Sequence, residues 1–351
     1  MTSNFRIGNK IIGESSDPYI IAEVGINHNG NLKTALEMID VAKSAGADAV
    51  KFQTFKAEEF CGDSEQQFTY FSEGKQITES MLEMFKRMEL ESSEWLEIKR
   101  YAEKVQIEFF STPQNYSDLE SLLPLGVRVI KVGSDDLTNL SLISAYAQKG
   151  LPLILSSGMA DIAEVHKALS VAGWFEGKSV AMLVCTSQYP TPVSDVNIQR
   201  VSTLRAAFPN LVVGFSDHTQ GNEASIMAIA LGAKIFEKHF TLSHGAKGPD
   251  HWFSLNPIEL HSWVKAIKEA HTMLGSGIVT PTHEEMKMRE IARRSVVALL
   301  DINFGEKLTT VNVGLRRPGT GLAPEFLSVV QGRTSNKFIA KGETIDWQDL
   351  A

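Results

Sequence analysis

The sequence predicts an α/β fold, a (β/α)8 barrel followed by a small C-terminal domain. Short, nearly continuous apolar runs recur through the first three quarters of the chain, and segments with helical periodicity separate them. Such runs are typical of parallel strands covered on both faces, and eight strand–helix units in about 260 residues fit a closed barrel better than an open sheet. The eight runs are residues 19–26, 48–53, 107–112, 128–134, 152–158, 180–186, 211–217 and 233–240.

The helices are predicted between these runs. Residues 32–47 place Leu36, Ile39 and Ala42 near one face, and Gly46 stands where a helix would stop. A closing helix is expected from the Asn-Pro pair at 256–257, followed by a partly helical connector in which Pro281 acts as a breaker. The other helical candidates are residues 92–105, 116–123, 138–149, 161–172, 197–207 and 221–231.

The alternation of apolar runs and helical segments ends after residue 256, and we place a domain boundary near residue 285. The barrel domain is expected over residues 1–284, with an N-terminal extension over 1–18 and a connector at about 275–290. Residues 285–351 read as a compact module of short strands and turns.

Composition excludes several classes of function. The net charge of -8 gives no footprint for nucleic acid or for an anionic membrane surface. Only Cys61 and Cys185 are present, which argues against a disulfide framework and a Cys-rich metal site and fits a reducing compartment. No apolar run approaches the roughly 20 residues that span a bilayer, and no secretory signal pattern is visible. We therefore expect a cytoplasmic protein.

Polar residues fall at or just beyond the C-terminal end of each predicted strand. This is the catalytic face of a (β/α)8 barrel, so their convergence predicts an active site. Strand ends are normally polar, but two lysines inside apolar runs are not explained in that way. The residues include Glu23, Lys51, Gln53, Thr112, Lys131, Ser134, Asp136, Ser156, Ser187, Ser216, His218, Glu237 and His239.

His218 and His239 end the last two strands, which are neighbours in a closed barrel. Alone, each is most simply a hydrogen-bonded core histidine. Together with nearby carboxylates or water they suit Mn²⁺, Zn²⁺, Co²⁺ or Fe²⁺, whereas Mg²⁺ usually prefers oxygen ligands.

Lys51 and Lys131 suit an anion pocket, because their ammonium groups would lie among hydroxyl groups that satisfy the several acceptors of a phosphate. A Schiff-base lysine is the alternative. The chain has no GxxxxGK[ST] loop and no clear GxGxxG after a strand, so nucleotide chemistry lacks its usual signature.

Two loops are open to two interpretations. Asn27 and His28 follow the first strand, either as part of an Asn-Gly turn or as rim residues that contact a sugar. Residues 246–257 contain Asp250 after a Gly-Pro and are either a solvated loop or a substrate-contacting lid.

Ordered motifs resemble those of the sialic acid synthase family over nearly the whole chain. They include "IAEVGINHNG", "GADAVKFQT", "IKVGSDDLTN", "CTSQYPTP", "GFSDHT", "EKHFTL" and "GPDHWFSLNP", and the C-terminal "LRRPGTGL" resembles that family's antifreeze-like (SAF) domain. The resemblance implies a TIM barrel with an antifreeze-like domain. It also implies condensation of phosphoenolpyruvate with an N-acylated amino sugar, N-acetylmannosamine or a 2,4-diacetamido-trideoxyhexose, to give a nine-carbon sialic acid and phosphate. We favour N-acetylmannosamine because it is the more prevalent acceptor.

The resemblance also implies roles for matching positions. His218 and His239 would hold a divalent metal, usually Mn²⁺, with Mg²⁺ or Co²⁺ as alternatives. Glu23 and Asp136 would stabilise the developing cation or handle the protons of water. Phosphoenolpyruvate would be surrounded by Lys51, Thr112, Lys131, Ser134, Ser156, Ser187 and Ser216, and the metal, acceptor or transferred proton would be approached by Gln53, Tyr189, Glu237 and Asp250.

Arg317 resembles a family arginine that reaches the sugar in the partner subunit's site, which implies a domain-swapped homodimer. Ser187 replaces a common Asn, and Asp135 replaces a common Gly beside Asp136. Two other hypotheses remain at this stage: a Schiff-base aldolase that uses Lys51 or Lys131, and a non-catalytic sugar-binding or ice-binding protein that acts through its last 60 residues or so.

Overall fold

A computed structural model describes residues 5–63 and 65–351. The described residues fold into two compact units, which divide between residues 275 and 276. The boundary near residue 285 that the sequence suggests stays a prediction. No helix in the described residues is long and apolar enough to cross a membrane.

The first unit is built around eight parallel strands, all present where the sequence predicts them. The strands are β3 (Tyr19–Gly25), β4 (Ala49–Thr54), β7 (Glu108–Pro113), β8 (Ile130–Val132), β9 (Leu153–Ser156), β10 (Val180–Cys185), β11 (Val212–Ser216) and β12 (Ile235–His239). Their spatial order is β7-β4-β3-β12-β11-β10-β9-β8, and the two ends of this order, β7 and β8, contact each other, so the sheet closes into a barrel. The predicted fold class is confirmed.

Helices follow the strands and cover the outside of the barrel. Helix α1 (Leu32–Ala45) shows the local rules: the Asn31 side chain accepts from the backbone N–H of Thr34 at the start, and Gly46 ends the helix at φ 86°. Its buried face, including Met38 and Ile39, packs into the main apolar layer between strands and helices. The others are α4 (Ser92–Lys104), α5 (Tyr116–Leu122), α6 (Leu140–Ala147), α7 (Ile162–Val171), α8 (Arg200–Ala207), α9 (Glu223–Ala230) and α10 (Pro257–Leu274).

The barrel interior has an apolar lower half and a polar upper half. Side chains such as Ile21, Phe110 and Leu183 fill the lower half. A short hairpin, β1 (Phe5–Ile7) and β2 (Lys10–Ile12), adds Phe5, Ile7 and Ile12 to the same cluster at the N-terminal end of the strands. The filled lower half leaves room for polar groups only towards the C-terminal ends.

A second hairpin is inserted after β4. Strands β5 (Gln67–Ser72) and β6 (Lys75–Ser80) pair antiparallel and are flanked by the short helices α2 (Ala57–Phe60) and α3 (Met81–Lys86). Neither hairpin was predicted from the sequence. Their strands are short and partly exposed, so they lack the continuous apolar run that marks a barrel strand.

The second unit has its own small core. Helix α11 (His283–Ala292) precedes strands β13 (Ser295–Ala298) and β14 (Val313–Arg316), which pair antiparallel, and a short helix α12 (Leu327–Val330) follows. Val296, Ile302, Val313, Ile339 and Ile345 are among the buried residues of this core.

Candidate active site

A pocket of about 380 Å³ lies at the C-terminal ends of the barrel strands. It is lined by most of the residues that the sequence predicts for a site. They are Glu23, Lys51, Gln53, Thr112, Lys131, Ser134, Ser156, Ser187, Tyr189, Ser216, His218, Glu237 and His239.

The centre of the pocket is a buried cation between two carboxylates. Strand register places Glu23 beside Lys51 on one side and beside His239 on the other. Lys51 Nζ lies 2.8 Å from Glu23 Oε1 and 3.6 Å from Glu237 Oε2, and it also donates to Thr112 Oγ1 at 3.3 Å. Lys51 therefore forms ion pairs with two carboxylates. When both are ionised, the cluster of Glu23, Lys51 and Glu237 carries a net negative charge.

The two carboxylates differ in their affinity for protons. Burial raises the pKa of Glu23 to about 7, although Lys51 favours its ionised form. Burial also acts on Glu237, but there the charges of Lys51 and Lys131 and a hydrogen bond from Ser216 prevail and lower the pKa to about 2. The site thus holds one permanent carboxylate, Glu237, and one carboxyl group, Glu23, that exchanges its proton near neutral pH.

The opposite side of the pocket carries an ammonium group and hydroxyl groups. Lys131 Nζ donates to Ser156 Oγ at 2.6 Å and to the backbone oxygen of Val132 at 2.8 Å, and burial lowers the pKa of Lys131. Ser134 Oγ accepts from the backbone N–H of Gly158 at 3.1 Å. A Cβ at position 158 would lie 2.2 Å from Ser187 Oγ, so only glycine lets the backbone approach these hydroxyls. A lysine beside clustered donors forms a site that can bind a phosphate or carboxylate.

His218 and His239 face each other across the last two strands, with ring centroids 5.6 Å apart. His218 Nδ1 lies 2.8 Å from the backbone oxygen of Thr186, so this nitrogen donates, and Ser216 Oγ lies 3.4 Å from Nε2. His239 Nδ1 is buried without a hydrogen-bond partner among the described residues, as is Glu237 Oε2. Burial, reinforced by His218, lowers the pKa of His239 well below its usual range, so that its imidazole is neutral.

The unpartnered His239 Nδ1 and the neighbouring His218 ring fit a divalent cation held by the two imidazoles. Within residues 5–63 and 65–351, no group of three or more His, Cys, Asp and Glu side chains is arranged to hold a metal. A cation here would therefore take its remaining ligands from substrate or water, as an open catalytic site does.

A second cavity, about 600 Å³, adjoins the first and shares Gln53, Phe68, Tyr189 and His239 with it. Tyr189 packs on the ring of His218, with centroids 4.2 Å apart. The predicted residue Asp250 lines this second cavity, with Oδ2 4.0 Å from His239 Nδ1, and burial raises the pKa of Asp250 to about 6.

Four predicted residues are placed elsewhere. Asp136 is not among the lining residues of the pocket; its carboxylate accepts from Asn139 Nδ2 at 3.0 Å in the turn that leads into α6. Arg317 is exposed in the second unit. Asn27 and His28 are buried and hold the loop: Asn27 Nδ2 donates to the backbone oxygen of Phe240, and His28 packs against aromatic rings. Neither residue lines the pocket, and their role as sugar contacts stays a prediction.

Several lining residues were missed. Phe60, Phe68 and Phe85 come from the inserted segment, and Met159 lies at the tip of a turn with φ 63°. Cys185 ends β10 with its Sγ 3.8 Å from His218 Nδ1. The signal that could have found Cys185 is its place at the end of the sixth apolar run, directly before Thr186 and Ser187.

The fold and the pocket together define a barrel enzyme whose site is formed by the C-terminal ends of the strands. The chain belongs to the NeuB family, whose model matches residues 38–279, and residues 293–351 match the SAF domain. Both parts of the resemblance drawn from the motifs are confirmed.

Relatives cover nearly the whole chain. An N,N'-diacetyllegionaminic acid synthase of Legionella pneumophila is 38% identical, covering 100% of this chain and 99% of its own. The human N-acetylneuraminate-9-phosphate synthase is 34% identical over 95% of this chain and 93% of its own. A crystal structure of N-acetylneuraminic acid (sialic acid) synthetase from Leptospira borgpetersenii is 34% identical, covers 82% of this chain and 95% of that one, and superposes with a TM-score of 0.73.

Proposed function

We propose that this protein condenses phosphoenolpyruvate with the open-chain form of an N-acylated amino sugar and water, giving a nine-carbon sialic-acid-type sugar and phosphate. The observation that carries the proposal is the meeting of three chemistries in one pocket: Lys131 with its hydroxyls, the Glu23–Lys51–Glu237 cluster, and the imidazoles of His218 and His239. The family and the synthases among the relatives support the same reaction.

The phosphate and carboxylate of phosphoenolpyruvate would lie against Lys131, Ser134, Ser156 and Ser187, with Lys51, Thr112 and Ser216 nearby. Lys131 and Lys51 bring two buried positive charges to a trianionic ligand. This binding also orients C3 of phosphoenolpyruvate towards the cavity that is lined by Tyr189, His239 and Asp250.

The reaction forms a bond between C3 of phosphoenolpyruvate and the aldehyde carbon of the sugar. C2 then carries positive charge, water adds there, and the bond between C2 and the bridging oxygen breaks to release phosphate. Glu237 is ionised and faces this region, so it can stabilise the cation, and Glu23 titrates near neutral pH, so it can take a proton from the water. The role predicted for Asp136 remains a prediction without support from its position.

A divalent cation at His218 and His239, most simply Mn²⁺, would polarise the sugar aldehyde. Mg²⁺ and Co²⁺ remain alternatives. Gln53, Tyr189 and Asp250 line the space beside these histidines and are proposed to bind the acceptor. Arg317 is proposed to reach the sugar from the partner subunit of a domain-swapped homodimer. We also propose that the protein acts in the cytoplasm.

The test is phosphate release with mass detection of the product. We expect release only when phosphoenolpyruvate, an N-acylated aldose and Mn²⁺ are present together, with a nine-carbon acid as the organic product. N-acetylmannosamine and a 2,4-diacetamido-trideoxyhexose are the acceptors to supply. Phosphate release that needs no acceptor, or full activity after His218→Ala and His239→Ala are combined, would contradict the proposal.

A further inference from the structure

The second cavity is an aromatic cleft, defined here by Phe68, Tyr70, Phe71, Trp252 and Phe253 together with Tyr189. The β5–β6 hairpin forms one side and the loop after β12 forms the other. The two sides are tied together, since the backbone N–H of Gly248 donates to Ser72 Oγ at 3.1 Å. The cleft is thus a built part of the site rather than a gap between loops.

Ring contacts run without a break from the hairpin to the histidines. Phe71 packs on Trp252 at 5.4 Å between centroids, Trp252 on Phe253 at 5.8 Å, and Phe253 on Tyr189 at 5.1 Å. Phe253 also lies 5.5 Å from the ring of His239. A substrate that extends from the histidines therefore meets aromatic faces along its length.

Hydroxyl groups of the hairpin are already used within the hairpin. Tyr70 Oη donates to Glu79 Oε1 at 2.6 Å, and Thr69 Oγ1 lies in hydrogen-bond contact with Thr78 Oγ1 at 2.9 Å. The described residues that line the cleft include no lysine and no arginine, and the ionisable groups they contribute include Asp250 beside His239. Aromatic surface, the neutral amides of Gln53 and Gln76, and an acid favour neutral groups that end in methyls and disfavour a phosphate, which needs cationic donors.

We infer that this cleft selects an unphosphorylated acceptor whose substituents end in methyl groups, such as a 2,4-diacetamido-trideoxyhexose, over N-acetylmannosamine and over its 6-phosphate. The inference rests on the proposed function and specifies its acceptor. The trideoxyhexose differs from N-acetylmannosamine by a methyl in place of the hydroxymethyl group and by a second acetamido group, and both differences add apolar contact with the rings. This acceptor replaces the expectation of N-acetylmannosamine, which rested on the prevalence of that sugar and on no residue of the chain.

The test compares kcat/KM for the three acceptors at saturating phosphoenolpyruvate and Mn²⁺. We expect the diacetamido sugar to exceed N-acetylmannosamine by about tenfold or more, because a single methyl or methylene in an apolar pocket reaches that range. The 6-phosphate should be the poorest of the three. Equal values for the two neutral sugars, or preference for the phosphate, would overturn the inference while leaving the condensation intact.

A variant in the β5–β6 hairpin tests whether the aromatic cleft causes the acceptor preference. Phe71→Gln, at a side chain that is 42% exposed and far from the histidines in the ring series, should reduce the ratio between the neutral sugars about fourfold and leave the KM for phosphoenolpyruvate unchanged. Phe175→Gln is the matched control, because Phe175 is 49% exposed and lies outside the cleft lining. A ratio that Phe71→Gln leaves unchanged would assign the preference elsewhere and overturn the inference. No turnover of any acceptor by the wild-type protein would overturn the proposed function itself.

Discussion

Glu23→Gln changes the stability of this protein in a direction that depends on pH. Burial raises the pKa of Glu23 from 4.5 to about 7, so between these values the folded chain binds more protons than the unfolded chain. The contribution of Glu23 to stability is therefore fully present below pH 4.5 and is lost as the pH rises through 7. Glutamine cannot titrate, so the variant has no such loss.

The magnitude follows from linkage. A carboxyl group with these two pKa values loses roughly 2–3 kcal/mol of unfolding free energy between pH 5 and pH 8. The side chain is 1% exposed, so solvent screening removes little of this amount. Glu237 has its pKa lowered to about 2, and its own contribution is lost only as the pH falls from 4.5 towards 2, outside the range compared.

Urea unfolding at pH 5 and pH 8 in metal-free buffer measures the effect. Trp95, Trp174, Trp252 and Trp263 report on the first unit by fluorescence. Asp118 and Asp250 also have raised pKa values, but they contribute to both proteins and cancel in the difference. We expect the unfolding free energy of wild type to fall by roughly 2–3 kcal/mol more than that of Glu23→Gln over this range.

Glu97→Gln serves as the control, because it removes a carboxylate from the exposed face of α4. It should follow the pH dependence of wild type. If Glu23→Gln also follows wild type, Glu23 is ionised throughout the range, and its proposed exchange of a proton near neutral pH is wrong.

Other predictions concern the remaining charged groups. Lys238→Met should lower the unfolding free energy by about 3–5 kcal/mol, because fully buried Asp217 loses the ammonium group 2.9 Å away. Adding Asp217→Asn should recover much of that loss in urea unfolding, whereas equal stability of Lys238→Met and wild type would contradict this reasoning. Lys131→Ala should raise the KM for phosphoenolpyruvate at least about tenfold in steady-state assays, since a charged hydrogen-bond donor is lost, and an unchanged KM would remove Lys131 from the anion site. His239→Ala should weaken Mn²⁺ binding at least about tenfold by titration calorimetry, whereas unaltered affinity would mean that the cation binds elsewhere. Borohydride should trap no imine, and trapping on Lys131, whose pKa is lowered by burial, would favour the aldolase hypothesis.

The barrel and much of the site could be predicted because one rule connects them. In a closed parallel sheet all strand ends meet at one face, so polar residues that end apolar runs, such as Lys51 and His239, must converge. Their pairing could not be predicted. That Lys51 lies between Glu23 and Glu237 depends on strand register, which becomes visible only in three dimensions.

What escaped prediction lies where the chain leaves the strands. The register is irregular between Glu23 and Gly25, and Gly25 has φ 54°, so the chain changes direction before Asn27 and His28, which are packed into the protein. Asp136 lies in a turn before a helix, where Asn139 engages it. The aromatic hairpin carries no strong apolar run, so neither its strands nor their place over the site could be recognised.

The most direct test of the proposed reaction follows the bridging oxygen of phosphoenolpyruvate. With that oxygen labelled as ¹⁸O, and with acceptor and Mn²⁺ present, the released phosphate should carry the label, because the bond between C2 and the bridging oxygen breaks. Mass spectrometry of the phosphate and of the nine-carbon product reads out both halves of the reaction. Unlabelled phosphate, or labelled oxygen retained in the organic product, would show that the P–O bond breaks instead and would contradict the mechanism.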